Sequence, residues 1–186
     1  NLEDRQKGLQ NSGALLDGRD LIISSDGEIL VRGKTLALGY MMGSLLEDLR
    51  DGEGWFHTGD VGYLEVNGKL TVTGRMDNQF ISGGENIQPE HIEIALTRVT
   101  GISQAIVLPR ADDKFGARPV AYILTNDPPP QVDRLASELR KSLPGYMIPV
   151  AFYQIPSDFS IEGLKISRKD FSDFVLKENN HLHPLD

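Results

Sequence analysis

Two turn signals in the first third of the sequence restrict its fold more than any other feature. Asp26-Gly27 and Asn67-Gly68 are dipeptides of the kind that favour the two-residue turn of a β-hairpin. Each lies between two short β-prone runs, residues 21–24 and 28–32 around the first turn and residues 61–66 and 69–73 around the second. We therefore predict two antiparallel hairpins and an all-β first third that ends at Gly74. Residues 1–19 show no clear period and are predicted to be loop.

The hydrophobic pattern changes to a helix period after residue 88. Pro89 suits the first position of a helix, and apolar residues follow at helical spacing up to Val99, which predicts a helix over residues 89–99. Further strands are predicted at residues 103–108, 119–124 and 150–155, and further helices at residues 132–143 and from Ser167 onward. We therefore expect the fold class α+β, with a small β-rich domain over residues 1–76 and an α+β domain over residues 77–186.

The composition restricts the classes of function. The chain has 39% hydrophobic and 25% charged residues, no membrane-spanning apolar run and no signal peptide among its first residues, so a cytoplasmic location is expected. The absence of cysteine excludes disulfides and thiolate metal sites. The net charge of −8 argues against a nucleic-acid partner, because such a protein needs a basic face for the phosphates. Nucleotides are not excluded, since a few cations and backbone amides can hold a polyphosphate.

Four places in the sequence carry groups suited to chemistry. Asp60 follows Gly59 directly before a predicted strand, and Arg75 is a permanent cation at the end of another. Ser82-Gly83-Gly84 is a paired-glycine loop before a helix, which would leave free amides for a ligand. Lys165 belongs to a loop before the last helix. Each feature alone is more often structural than functional, and the four histidines show no metal-ligand spacing, so no metal site is predicted.

Taken together and in order, these features form a known pattern. The runs that carry it are residues 27–33 with Gly39-Tyr40, residues 55–60 (WFHTGD), residues 74–87 (GRMDNQFISGGENI) and residues 163–168 (GLKISR). On these runs the chain resembles the C-terminal portion of the adenylate-forming superfamily, which comprises acyl- and aryl-CoA ligases, luciferases and peptide-synthetase adenylation domains. Residues 81–90, together with residues 112–121 and 164–168, are most similar to the o-succinylbenzoate-CoA ligase family of menaquinone synthesis.

The resemblance implies a fold and a reaction. The first domain would be a β-rich remnant of the family's large AMP-binding domain, and the second would be the family's small C-terminal domain. In the family reaction a carboxylate attacks the α-phosphate of ATP with Mg2+ to give an acyl-adenylate, and the thiol of coenzyme A then displaces AMP. The expected partners are therefore a small carboxylic acid, ATP, coenzyme A and the missing N-terminal part of the large domain.

The matching positions imply roles in the first half-reaction. Asp60 would accept hydrogen bonds from both ribose hydroxyls of the nucleotide. Arg75 would support the ribose and phosphate side by charge-assisted hydrogen bonds. Lys165 would bridge the substrate carboxylate and the α-phosphate, and it is the expected catalytic residue.

Other positions imply roles in thioester formation. Asp77 matches the hinge about which the small domain turns between the two half-reactions. Phe115 matches a position where an aromatic ring can lie near coenzyme A. The loop that would lie against the pantetheine arm, where glycines leave room for a narrow tunnel, consists of Ser82, Gly83, Gly84 and Glu85.

Two departures from the family pattern limit these implications. Leu164 replaces the glycine that usually precedes the catalytic lysine, and Gly163 lies one place earlier. No Ser/Thr/Gly-rich phosphate loop occurs, so the chain is expected to be an excised fragment that does not catalyse adenylation by itself. Two alternatives remain open: another aryl- or acyl-CoA ligase or a peptide-synthetase adenylation domain, and a non-catalytic binding module of the same fold.

Overall fold

The computed structural model describes residues 11–125, 128–156, 159, 166–177 and 184–185 of the chain. These residues form two compact units that divide between Asn78 and Gln79. The predicted domain boundary, between residues 76 and 77, falls within the short 3-10 helix Met76–Asn78 that ends the first unit. The assignment of the first unit to a large AMP-binding domain stays a prediction at this point.

The first unit is built around a five-stranded antiparallel sheet. Its strands, in the spatial order β1-β7-β6-β3-β2, are β1 (Gly13–Ala14), β2 (Arg19–Ile23), β3 (Glu28–Gly33), β6 (Phe56–Leu64) and β7 (Lys69–Arg75). β2 pairs with β3, and β6 pairs with β7, which confirms both predicted hairpins. β7 continues through Arg75 instead of ending at Gly74, and β1 lies in the segment predicted to be loop.

The turns of these two hairpins are one residue longer than predicted. Backbone hydrogen bonds close loops of three residues, 25–27 and 66–68. A two-residue type I′ turn needs positive φ at both central residues, and in the part of the chain that the structure describes only glycines have positive φ. Gly27 (φ 86°) and Gly68 (φ 77°) therefore take the left-handed position that ends a three-residue turn.

A second, two-stranded sheet of the first unit was not predicted. It consists of β4 (Gly39–Met42) and β5 (Leu45–Asp48). Its turn falls at Gly43-Ser44, where Gly43 has φ 64° at the first central position, as a type II′ turn requires. The apolar side chains of this hairpin are exposed in the chain, with Leu45 at 74%.

The second unit contains a three-stranded sheet with helices on both faces. The sheet has the order β10-β11-β12, in which β10 and β11 are antiparallel and β12 lies parallel to β11. A short hairpin, β8 with β9, precedes the first helix. The elements in chain order are β8 (Phe80–Ser82), β9 (Glu85–Ile87), α1 (Pro89–Thr97), β10 (Ile102–Asp112), β11 (Gly116–Thr125), α2 (Val132–Arg140), β12 (Phe152–Gln154) and α3 (Arg168–Lys177).

Alternation along β10 and β11 divides the core of this unit between two faces. Val107 packs with buried residues of α1 and α2 on one face. Ile106 and Leu108 pack on the other face with Phe171 of α3, which is fully buried. Because successive side chains of a strand point to opposite sides, one strand can serve both clusters. The structure confirms the fold class α+β.

The predicted helices are found with small differences at their ends. α1 ends at Thr97 instead of residue 99, and α2 ends at Arg140 instead of residue 143. The predicted cap of α3 is present, since the N–H of Asp170 donates to Oγ of Ser167 at 3.4 Å. None of the helices in the described ranges is long and apolar enough to cross a membrane.

Candidate functional site

The strand β6, which carries most of the WFHTGD run, has a large bulge at residues 58–60, where the proposed functional residue Asp60 lies. β3 and β6 pair at Leu30 and His57, and again at Glu28 and Val61. Between these pairs a single residue of β3 lies opposite residues 58–60 of β6. Such a bulge interrupts the hydrogen-bond ladder and changes the direction of side chains. The side chain of Asp60 therefore projects from an irregular part of β6.

Glu28 supplies hydrogen-bond partners inside this bulge. The residue is only 8% exposed, and a buried carboxylate needs partners to offset its lost hydration. Its Oε1 accepts the N–H of Gly59 at 2.9 Å, and its Oε2 accepts from Nδ1 of His57 at 2.8 Å. His57 thus has a partner that the sequence patterns did not indicate.

His57 lies between two carboxylates. Its Nε2 is 3.4 Å from Oδ2 of Asp51, on the opposite side of the ring from Glu28. The hydrogen bond to Glu28, together with the contact to Asp51, raises the pKa of His57 above its usual value. The same Asp51 accepts the N–H groups of Glu53 and Trp55 at 2.9 Å, which closes the loop before β6.

Thr58 fixes the bulge from its other side. Its hydroxyl donates to the carbonyl of Ile29 at 2.7 Å and accepts the N–H of Asp60 at 3.0 Å. Glu28 and Ile29 of β3 therefore hold the backbone on both sides of Gly59.

The structure brings Asp60, Arg75 and Asp77 together. Asp60 and Arg75 are cross-strand partners of β6 and β7. Nη1 of Arg75 donates to Oδ1 of Asp60 at 3.2 Å and to the carbonyl of Thr58 at 3.1 Å. Its Nε and Nη2 donate to Oδ1 and Oδ2 of Asp77 at 3.0 and 3.3 Å, in a bidentate pair. These contacts raise the pKa of Arg75, and the hydrogen bond to Asp77 contributes most to the change.

Gly59 is required by the close approach of Arg75. A Cβ at this position would lie 2.8 Å from Nη2 of Arg75. Gly59 also has φ 68°, a conformation that other residues rarely adopt. The glycine of the run therefore allows the guanidinium to cover the bulge beside Asp60.

In the second unit, the paired glycines form the turn of a hairpin. Ser82 pairs with Glu85, and Gly83 and Gly84 have φ 60° and 88°, as a two-residue type I′ turn requires. The N–H of Gly83 donates to the carbonyl of Phe115 at 2.9 Å. The expectation that this loop leaves its amides free for a ligand is therefore wrong for Gly83.

The same contact places Phe115 beside the paired glycines. A Cβ at Gly83 would lie 3.0 Å from Cδ1 of the Phe115 ring. Two cations lie near this ring, with Nζ of Lys114 at 5.2 Å and Cζ of Arg118 at 5.0 Å from its centroid. The hairpin that includes Ser82 and Glu85 is thus next to an aromatic ring and positive charge. The structure brings together the residues that the sequence associates with coenzyme A.

The predicted catalytic residue, Lys165, lies outside the described residues, as do Gly163 and Leu164. Arg168, three positions after Lys165, is the first residue of α3, and its guanidinium contacts three other residues. Its Nη1 donates to the carbonyl of Val107 at 2.6 Å. Its Nη2 lies 2.7 Å from Oε1 of Glu93 and 3.4 Å from Oε1 of Glu90.

Glu93 is the most buried carboxylate of this cluster. Its side chain is 16% exposed, and its Oε1 also accepts the N–H of Val107 at 2.8 Å. Burial raises the pKa of Glu93, although Arg168 acts in the opposite direction. Among the residues that the structure describes, no cluster of potential ligands is placed to hold a metal ion.

Comparisons with known proteins show what the chain is similar to. Residues 91–160 match the family model described as AMP-binding enzyme C-terminal domain. The chain is 38% identical over 178 residues to the 2-succinylbenzoate–CoA ligase of Haemophilus influenzae, a match that covers 95% of this chain and 38% of the relative. The enzyme of the same name from Escherichia coli is 37% identical over 171 residues, with 92% and 37% covered. The chain thus spans little more than a third of the length of these curated relatives.

Solved structures give the same result. Wild-type Escherichia coli MenE, solved with a bound m-phenylether-linked analogue of OSB-AMS, has a TM-score of 0.75 and 34% identity, over 91% of this chain and 36% of that one. The o-succinylbenzoate CoA synthetase of Bacillus subtilis, in complex with the acyl-adenylate intermediate OSB-AMP, has a TM-score of 0.72 and 31% identity, with 82% and 33% covered. Residues 91–160 therefore belong to the family of AMP-binding enzyme C-terminal domains, and nearly the whole chain is similar to part of these 2-succinylbenzoate–CoA ligases.

Proposed function

We propose that this chain is the C-terminal part of an ATP-dependent acid-CoA ligase that acts on o-succinylbenzoate, in menaquinone synthesis. The observation that carries the proposal is the 38% identity to a 2-succinylbenzoate–CoA ligase along 95% of the chain. ATP with Mg2+ and coenzyme A would be the other substrates, and Mg2+ would arrive bound to the ATP phosphates. A cytoplasmic location, where ATP and coenzyme A are available, belongs to the same proposal.

The first unit would bind the nucleotide through Asp60. A ribose presents two neighbouring hydroxyls, and a carboxylate offers two oxygens with about four lone-pair sites. The hydrogen bond from Arg75 to Oδ1 occupies one of these sites, and the side chain of Asp60 is 40% exposed. Arg75 would orient this carboxylate and add positive charge on the phosphate side.

Lys165 would serve the adenylation step. Its ammonium group would lie between the substrate carboxylate and the α-phosphate, and it would stabilise the negative charge that develops as the carboxylate oxygen attacks phosphorus. Removal of such a group typically lowers the rate on the order of 10²- to 10³-fold.

Rotation of the small domain at Asp77 would then exchange the face that is presented to the active site. The hairpin turn of residues 82–85 and the ring of Phe115 would contact the pantetheine arm and the nucleotide end of coenzyme A. Lys114 and Arg118 lie within about 5 Å of that ring and would supply positive charge complementary to the phosphates of coenzyme A.

The full-length product of the gene that carries this chain tests the proposal. We expect exchange of pyrophosphate into ATP that depends on o-succinylbenzoate, and formation of the thioester when coenzyme A is added. Benzoate is the matched control acid, because it lacks the succinyl chain, and it should give little exchange. Exchange with benzoate alone would contradict the proposed acid, and no exchange with any aromatic or aliphatic acid would contradict ligase activity. The 186-residue chain by itself is expected to give none.

A further inference from the structure

We propose that Glu28 is a positioning residue of the nucleotide site, whose carboxylate holds the β6 bulge in the shape that presents Asp60 to the ribose. The inference rests on the proposed function, in which Asp60 is the ribose ligand. Glu28 belongs to the run of residues 27–33, for which the resemblance to the superfamily implied no role in the reaction.

The bulge explains why a carboxylate is needed on β3. Where one residue of β3 is opposite three residues of β6, the N–H of Gly59 has no ladder partner. A backbone N–H away from water needs an acceptor, and Oε1 of Glu28 provides it at 2.9 Å. An apolar side chain at position 28 could not replace this bond.

The carboxylate of Glu28 is itself held in place. Nδ1 of His57 donates to its second oxygen at 2.8 Å, and Asp51 contacts the far side of the same ring. Each oxygen of Glu28 thus has a donor within 2.9 Å, and the two donor residues, His57 and Gly59, are the neighbours of Thr58 in the sequence. Two charge-assisted hydrogen bonds of this length restrict the side chain of Glu28 to one rotamer.

Gly59 transmits this position to the neighbouring Asp60. Its Cα faces the guanidinium of Arg75 so closely that a Cβ would lie 2.8 Å from Nη2. A shift of Gly59 would therefore move the contact between Arg75 and Asp60, which is 3.2 Å long. Loss of Glu28 should weaken the binding of ATP. The binding of coenzyme A should be unaffected, because the residues proposed to contact coenzyme A belong to the second unit.

The full-length enzyme tests this with Glu28→Ala and Glu28→Gln. We expect Glu28→Ala to raise KM for ATP on the order of tenfold, as the loss of a charge-assisted hydrogen bond predicts, and to change KM for coenzyme A less than about twofold. Glu28→Gln should recover most of the ATP affinity, because its amide oxygen can still accept from Gly59. Asp20→Asn is the matched control, since Asp20 pairs with Arg32 at 3.0 Å on the same sheet and belongs to β2, which is separated from β6 by β3.

A spectroscopic measurement on the 186-residue chain needs no nucleotide. A carboxylate acceptor shifts an amide proton downfield, so the Gly59 resonance of the isotope-labelled chain should move upfield in Glu28→Gln and further in Glu28→Ala. The Asp20→Asn control should leave this resonance in place. If Glu28→Ala does not fold, Glu28→Asp takes its role, because its shorter side chain cannot reach Gly59 and His57 together.

The outcomes separate the two proposals. A folded Glu28→Ala or Glu28→Asp variant with an unchanged KM for ATP would overturn the inference, and so would an equal rise in KM for ATP and coenzyme A. If the unchanged full-length enzyme shows no acid-dependent exchange, the proposed function is wrong and this inference falls with it, whatever the Gly59 resonance shows.

Discussion

The ion-pair cluster at the start of α3 gives a stability prediction that can be worked from the structure. In Arg168→Met, the carboxylate of Glu93 and the carbonyl of Val107 lose a guanidinium at 2.7 and 2.6 Å. The side chains of Arg168 and Glu93 are 22% and 16% exposed, so water can replace the lost partner only in part. Removing one member of a buried pair costs about 3–5 kcal/mol, and we expect a value near 3 kcal/mol at this partly exposed site.

The cost should depend on pH in a defined direction. Burial raises the pKa of Glu93 above its ordinary 4.5, so the folded chain binds this proton more readily than the unfolded chain does. Such a contribution to stability is complete below the unfolded pKa and is lost as pH rises through the folded value. Without Arg168 the pKa of Glu93 rises further. The destabilisation should therefore be largest at neutral pH and should shrink towards pH 4.5.

Urea unfolding of the 186-residue chain measures both effects. The α-helices of the described residues all belong to the second unit, so the α-helical circular dichroism signal follows that unit. The single tryptophan, Trp55, lies in the first unit, and its fluorescence serves as an internal control. Arg140→Met is the matched control variant, because Arg140 is an exposed arginine at the end of α2 and should change stability by less than about 0.5 kcal/mol.

Two results would refute this reasoning. One is a cost for Arg168→Met below about 1 kcal/mol at neutral pH, which would mean that water replaces the guanidinium without penalty. The other is a cost that is equal at neutral pH and at pH 4.5, which would mean that Glu93 is not the group left unpaired. Glu93→Gln in the Arg168→Met background should recover part of the loss, since a neutral amide needs no cation.

Three further predictions concern the full-length enzyme. Lys165→Ala should nearly abolish acyl-adenylate formation and spare thioester formation from supplied acyl-adenylate; equal loss of both steps would refute its role. Asp77→Pro should restrict the proposed hinge and affect the two half-reactions unequally, so a variant with both rates intact would remove Asp77 from the hinge. Gly59→Ala places a Cβ 2.8 Å from Nη2 of Arg75, and the left-handed backbone of this position costs a non-glycine residue about 1–2 kcal/mol, so KM for ATP should rise roughly tenfold. Gly52→Ala is the control, because a Cβ at Gly52 would have no neighbour within 4 Å. Equal KM values for the two variants would contradict the close approach of Arg75 to Gly59.

Local patterns predicted most of the secondary structure. The Asp-Gly and Asn-Gly signals placed both hairpins, because a glycine with positive φ is needed in either turn type. Pro89 and the apolar spacing after it placed α1 to within two residues at its end. The β4–β5 hairpin escaped prediction because Gly43-Ser44 is a weaker turn signal. Its strands are also short, four residues each.

The support of the candidate site could not be read from residue spacing. Glu28 and His57 are 29 residues apart and belong to strands that are joined only through the irregular register of β3 and β6. A carboxylate directly after the Asp-Gly signal and a histidine before Thr58 are ordinary in themselves. Only the extra residues of the bulge place the carboxylate under the N–H of Gly59.

The pairing of Asp60 with Arg75 depends on a second irregularity, in β7. Counting outward from the hairpin turn, an unbroken register would place Asp60 opposite Gly74. Arg75 would then point to the other face of the sheet, because side chains alternate. One extra residue, Thr73, shifts the register by one, and its hydroxyl donates to the carbonyl of Val61 at 3.0 Å, where the ladder is interrupted. Two bulges, one on each side of β6, thus place Asp60 beside the guanidinium of Arg75 and directly after Gly59, whose N–H donates to the buried Glu28.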